Sequence, residues 1–405
     1  MIGRRVPYWV LITALFGSLL LAACQSGNAK VVRVYVSLPL RGPSDTKSIG
    51  ERIKQGIQLA FDEVGNQVGS TQIDLVILDD GNEVGQWQPE LEANNAQKAV
   101  ADESAVAYLG PYNSGAAKVS IPILNRAGLL QISPSATWPG LTKPGFAQGE
   151  PGIFYPTGQR TFFRTTPTDD AQAPAAALWA RSLGLKTYYV LDDGEAYGAG
   201  IANLFSRYAQ QIGLVESAHQ MIDKTATDYR PILEAVKKAN PDLVYFGGTV
   251  ANGAPRLLQQ MREMGIKAAF MGPDALMDPS LIEMAGPAAE GVYITFVGIP
   301  PDQLKTDRAQ KFNKDYRDRY QGEAPESFSS YGYDAGLAVI AALKNAPTPD
   351  RAGVLAGLQT LPSFEGANGT YVFDRNGDDA SLRSVSGSIV ENGAFKFVQT
   401  LNAPQ

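Results

Sequence analysis

The chain has 405 residues, enough for two ordinary domains, and its 44% apolar and 19% charged content excludes a disordered chain. A formal charge of −6 speaks against nucleic acid as a partner. One histidine and one cysteine are too few for a zinc site, a histidine-based catalytic triad or an internal disulfide.

Residues 1–23 stand apart. Arg4 and Arg5 precede an apolar run at 9–21, and small residues follow. This is the pattern of a secretory signal peptide, too short between its flanks for a spanning helix. It ends in Leu21-Ala22-Ala23-Cys24, which resembles the lipobox of bacterial lipoproteins. The resemblance implies cleavage before Cys24, acylation of its thiol, and an exported protein held to the cell membrane by lipid. Removing the leader takes away two arginines and no acid, so the balance moves from −6 to −8. Residues 24–30 read as a polar tether.

Residues 31–39 alternate as a first strand, and 40–48 form a loop. Ile49, Ile53, Ile57, Ala60, Phe61 and Val64 then recur at helical spacing. Lys47-Ser48 resembles a phosphate-binding loop but lacks both required glycines. A strand at 73–78 and an alanine-rich helix at 89–103 follow. The stretch 105–137 is the most telling. An apolar strand breaks at Gly110-Pro111, Asn113 and Ser114 stand where a helix cap belongs, and Ala116, Val119, Ile121 and Leu124 mark the helix. A second strand at 129–132 stops at Ser133-Pro134-Ser135-Ala136-Thr137. A β–α–β unit of this length brings both hydroxyl-rich loops to the same sheet edge, where ligands bind in open parallel sheets. A helix N-terminus with hydroxyls and no strong base or nucleophile suits holding an anion, a carboxylate in particular, rather than transforming it.

Residues 138–159, with prolines at 139, 144, 151 and 156, read as a surface loop, the alternative being the edge of a lid. A strand resumes at Phe162, and 167–170 reads as a crossover and helix cap. Strands are expected at 187–191, 215–222, 243–246 and 268–271. Helices are expected after Tyr197, at 229–239 and at 252–264. Regular strand–helix alternation predicts doubly wound α/β lobes. His219, the sole histidine, lies within a strand and reads as structural. Helical patterns at 308–320, 327–344 and 351–361 precede a strand-rich end. The acidic turn 374–378 lacks the glycine and distal glutamate of a calcium loop and reads as a hairpin turn. No metal site or cofactor is expected, and no nucleophile–base pair that would make an enzyme.

Seven motifs in order resemble the branched-chain amino-acid (Leu/Ile/Val-binding) family of ABC-importer substrate-binding proteins, of the periplasmic-binding-protein type I fold. They are Leu38-Pro39-Leu40-Arg41-Gly42-Pro43, Gly110 to Ser114, Ser133 to Thr137, Phe163-Arg164-Thr165, Asp193 to Gly198, Phe270-Met271-Gly272-Pro273-Asp274 and Tyr331-Gly332-Tyr333-Asp334. The resemblance implies two parallel-sheet lobes joined by a three-crossover hinge. Lobe one takes 31–165 plus 297–368, and lobe two 166–296 plus 369–401. It implies an amino acid, aliphatic or branched-chain, held in the cleft by hinge closure and delivered by a monomer to a membrane permease and its ATPase subunits. Ser114, Ser135 and Thr137 match positions that hold the α-carboxylate, within the motif that includes Ala136. Asp274 matches the position that meets the ammonium, where the family more often has Glu. Tyr197 and Tyr333 match aromatic positions closing over the ligand, and Thr249 stands where an aromatic residue is common. These departures admit an amide, a urea-like compound or a small organic acid as ligand, and a solute-sensing role.

Overall fold

The computed structural model describes residues 30–42, 47–381 and 384–401, together with Gly3. Apart from Gly3, the expected signal peptide lies outside the described residues, as do the Cys24 lipidation site and all but the last residue of the tether.

The first sheet is built from β1 (Lys30–Leu38), β2 (Gln67–Val68), β3 (Thr71–Asp79), β4 (Ala105–Leu109), β5 (Leu130–Ser133) and β6 (Phe162–Arg164). Its order is β2-β3-β1-β4-β5-β6, and only β2 runs antiparallel to its neighbour. Between these strands lie α1 (Ile49–Asp62), α2 (Pro89–Ala101) and α3 (Ser114–Arg126). β1 and β4 sit centrally, and β4 is buried at every residue as AVAYL, because helices cover both faces of a parallel sheet.

The chain then crosses into a second sheet through α4 (Asp169–Ser182). This sheet contains β7 (Thr187–Asp192), β8 (Val215–Met221), β9 (Leu243–Gly247), β10 (Ala269–Gly272) and β11 (Tyr293–Val297). α5 (Ala196–Gln211), α6 (Arg230–Ala239), α7 (Ala254–Glu263) and α8 (Pro279–Ala285) connect them. After β11 the chain returns to the first lobe as α9 (Asp307–Arg319), α10 (Ser327–Asn345) and α11 (Arg351–Gln359), with the short pair β12 (Phe364–Glu365) and β13 (Thr370–Tyr371). It then crosses back as β14 (Val385–Glu391) and β15 (Ala394–Leu401), completing the order β15-β14-β11-β10-β9-β7-β8. The fold is thus two doubly wound α/β lobes with three passages between them. β13 pairs with β12, and the Tyr371 hydroxyl donates to Asp334 at 2.8 Å, so the third passage begins after Tyr371, later than position 368.

α1 and α10 cross in close contact because of Gly56 and Gly332. A Cβ on Gly56 would stand 2.0 Å from the Ser329 carbonyl oxygen, and one on Gly332 2.5 Å from that of Ile53. α10 is anchored by a capping box between Glu326 and Ser329.

Residues 138–159 meet the surface-loop expectation in part: 144–145, 147–149, 152–153 and 156–159 are exposed, and the rest turns inward. Trp138, Leu141, Phe154 and Tyr155 are buried in one apolar cluster with Ile121 of α3 and Ile201 of α5. Trp138 Nε1 donates to Glu150 at 2.8 Å, and Lys118 pairs with the same carboxylate at 2.7 Å. The prolines and glycines gave the segment an exposed look, but Trp138, Phe154 and Tyr155 are buried. His219 Nε2 lies 2.8 Å from Asp192 across β7 and β8.

Candidate functional site

The strands of both sheets end toward one cleft. On the first-lobe side, β4 stops at Leu109 and the chain turns at Gly110, whose φ of 117° suits only glycine. A Cβ there would meet the Ser37 carbonyl oxygen at 2.2 Å, so the loop lies directly on β1. α3 opens at Ser114, with Asn113 as N-cap making no capping bond through its side chain. The loop after β5 is tied to this one. Ser133 Oγ donates to the Pro111 carbonyl at 2.8 Å and accepts the Ala136 N–H at 2.9 Å. Ser135 Oγ donates to the Tyr112 carbonyl at 3.2 Å, and Ser114 Oγ accepts the Trp138 N–H at 3.2 Å, which leaves its own proton free to donate. The buried Arg164 clamps the second loop from behind through the carbonyls of Ala136 (2.7 Å) and Trp138 (2.9 Å).

On the second-lobe side, Asp274 follows β10 and is 2% exposed. Its Oδ1 accepts the Tyr197 hydroxyl and, at 3.0 Å, the Ala275 N–H. Burial pushes its carboxyl up to about 6, against those hydrogen bonds. Asp169, at the start of α4, is fully buried, with the Thr137 hydroxyl as its one hydrogen-bond donor among the described side chains. Burial and then the Asp274 charge raise its carboxyl far above the ordinary range. Two carboxyls therefore sit in one dry region, and no cation pairs with Asp274 among the described residues, an arrangement that can accept a positive ligand group.

Ser114, Ser135, Tyr197, Thr249 and Asp274 line one narrow cavity with Tyr112, Asn113, Ala275 and Phe328. The lobes touch around it: Gln86 Nε2 donates to the Ala251 carbonyl at 3.2 Å and Trp87 Nε1 to Glu195 at 3.3 Å. Three expected residues do not join the lining. Ala136 packs in the apolar cluster behind the loop. Thr137 is buried a layer deeper, its carbonyl accepting the Asp169 N–H at 3.1 Å and its hydroxyl facing the Asp169 carboxyl. Tyr333 is corrected outright: it lies between α1 and α9, with its hydroxyl on Glu63 and its ring 4.9 Å from that of Phe312. The aromatic wall belongs instead to Phe328 and Tyr112, in edge contact at 5.8 Å.

Phe328 could have been found from helical spacing. At 100° per residue it lies about 140° around α10 from Tyr333, so the two cannot face the same way. Asp169 had no comparable signal, because adjacent acids at a helix start read equally well as dipole caps.

This geometry can hold a zwitterion: hydroxyls and a helix N-terminus on one side, a buried carboxylate on the other. The periplasmic binding protein family matches residues 31–385. A Leu/Ile/Val-binding protein homolog from Brucella suis is 27% identical over 348 residues, covering 86% of this chain and 87% of that one. The leucine-, isoleucine-, valine-, threonine- and alanine-binding protein of Pseudomonas aeruginosa is 26% identical, covering 91% and 92%. The crystal structure of a leucine-binding protein from Thermotoga maritima superimposes with a TM-score of 0.79 at 26% identity, covering 92% of this chain and 99% of that one.

Proposed function

The chain belongs to the periplasmic binding protein family, and from that premise we propose that it captures an α-amino acid as a zwitterion between its lobes and delivers it to an ABC importer. The role is binding, outside the cytoplasm, and not catalysis. One observation carries the ligand reading: Asp274 faces Ser114 and Ser135 across a single cavity, one from each lobe. The carboxylate would be held by the Ser114 hydroxyl and the start of α3, joined by Ser135 once its hydroxyl turns away from the Tyr112 carbonyl, and the ammonium by Asp274. Since the halves of the site come from different lobes, such a ligand stabilises the closed arrangement over an open one.

A thermal-shift and calorimetric screen of amino acids, amides and small organic acids tests this. An α-amino acid at about 100 times its Kd adds about 2.7 kcal/mol of stability, whereas its decarboxylated and deaminated analogues add far less. Stabilisation by an organic acid and by no amino acid overturns the reading. The same calorimetry should show affinity rising with pH through about 6, where Asp274 loses its proton, with a proton released on binding near that pH. The sign in the free protein is opposite. A carboxyl raised on folding contributes stability that is full below its unfolded value of 3.8 and is lost as pH rises toward 6.

We place the protein at the cell membrane through acylated Cys24, which the lipobox-like sequence supports. Cys24→Ser should then move it from the membrane to the soluble fraction or stop its processing, since acyl chains are the membrane contact. Unmodified Cys24 in the membrane-bound protein would refute the anchor.

A further inference from the structure

The ligand cavity adjoins a second, somewhat larger chamber, and the two share Tyr112, Asn113, Thr249 and Ala275. The second chamber adds Asp278 and Ser280 from lobe two and Arg41, Ser48 and Trp87 from lobe one. Several of its polar groups are already engaged. The Arg41 guanidinium is held by Asp79 (2.8 Å), the Gly81 carbonyl (2.9 Å) and Glu83. The Ser48 hydroxyl donates toward the Pro39 and Leu40 carbonyls while capping α1. Asn252 donates to Asp193 at 2.7 Å.

What remains unused accepts hydrogen bonds. Asn113 Oδ1 is buried and unpartnered, and the buried Ser280 hydroxyl, which turns its proton toward Asp278, keeps its lone pairs free to accept. Asp278 is 7% exposed, and its Oδ1 takes the Ser280 N–H at 3.0 Å, leaving the second oxygen available. Among the described residues the nearby cations are largely committed: Arg41 is engaged as above, and Arg52, whose charge reaches Asp278, is shared with Glu323 (3.4 Å) and Glu326 (3.7 Å). An aliphatic group entering this chamber would leave three acceptors dry, and a carboxylate would face Asp278.

We propose that this chamber receives a ligand side chain tipped with N–H donors, so that α-amino acids ending in an amide or a cation bind more tightly than aliphatic ones of equal length. Short aliphatic side chains meet the rings of Tyr112, Tyr197 and Phe328; a longer, donor-tipped one continues to Asp278 and Ser280. The inference rests on the amino-acid reading above.

Calorimetry of the mature protein with leucine, norleucine, glutamine, citrulline, lysine and arginine tests it. At least one donor-tipped member should bind about tenfold or more tighter than norleucine, the worth of one or two well-made hydrogen bonds. Asp278→Asn, which keeps the cap of α8, and Ser280→Ala should shrink that margin to within about threefold while the leucine Kd stays within about threefold. A larger loss in Asp278→Asn identifies a cationic tip, and a larger loss in Ser280→Ala an amide. Should Asp278→Asn melt lower than the parent when unliganded, Asp278→Ser retains the cap and takes its place. The proposal is overturned if norleucine matches every donor-tipped ligand, or if the margin survives both substitutions. Binding of leucine distinguishes that failure from failure of the amino-acid reading itself, in which no member of the panel would bind and both fall together.

Discussion

Asp274→Asn should weaken amino-acid binding by about 3–5 kcal/mol, about two to four orders of magnitude in Kd. The substitution keeps the shape of the side chain and an acceptor for the Tyr197 hydroxyl, and removes only the charge. An ammonium buried on closure then meets no anion, which is the costly way to break an ion pair. The unliganded protein should not suffer. Burial disfavours the Asp274 charge itself, so a neutral side chain of the same shape removes a desolvation cost. The expected signature is therefore a large loss of affinity with unliganded melting unchanged or higher.

Ser114→Ala provides the contrast. It removes one donor among several around the carboxylate, and it also strips the Trp138 N–H of its acceptor. It should cost about 1–3 kcal/mol, part of it in stability. If Asp274→Asn loses less affinity than Ser114→Ala, the ligand carries no ammonium and the amino-acid reading falls while the fold assignment stands.

The loops at 110–114 and 133–137 were legible because their chemistry is local. Apolar strands stop at Gly-Pro and at a serine-rich turn, and a β–α–β unit has only one edge on which to put them. Asp274 was legible from its motif at a strand end. What could not be read depends on how the lobes meet. Asp169 looks like any acid at a helix start, and only the adjoining lobe buries it. Trp138 and Tyr155 lie in a segment whose prolines and glycines suggest exposure, yet both are buried, Trp138 between Lys118 of α3 and Gly200 of α5. The motif Tyr331 to Asp334 proved to be scaffold: the Asp334 carboxylate accepts the N–H groups of Ala367 (2.6 Å) and Asn368 (3.0 Å), and Tyr331 Oη donates to the Val297 carbonyl at 2.8 Å. A run of aromatic and acidic residues serves a hinge as readily as a ligand, and sequence spacing alone does not separate the two.

Arg164→Met should destabilise the protein by about 3–5 kcal/mol, the cost of stranding one member of a buried ion pair. Arg164 is completely buried, and its Nε meets Asp378 Oδ1 at 2.7 Å, joining the end of β6 to the segment that leads back to β14. Burial pushes the Asp378 carboxyl up, but the charges of Arg164 and Lys143 outweigh it and hold the group below its ordinary value. A carboxyl depressed in this way contributes stability above its unfolded value of 3.8 and gives it up as pH falls through the lower folded one. Arg164→Met should therefore abolish at neutral pH what the parent loses only in strong acid. Urea midpoints at pH 7 and pH 3 measure the difference, which should shrink at the lower pH. Arg164→Lys should rescue little, because one ammonium cannot serve Asp378, the Thr142 hydroxyl and two carbonyls that a planar fork reaches together. Adding Asp378→Leu to Arg164→Met should recover part of the loss by removing the stranded charge. Affinity should fall as well, although Arg164 touches no ligand, because the carbonyls it grips belong to the loop that presents Ser135. A drop in stability with undiminished affinity would mean that this loop holds its shape without the clamp, and Arg164 would then serve the hinge alone.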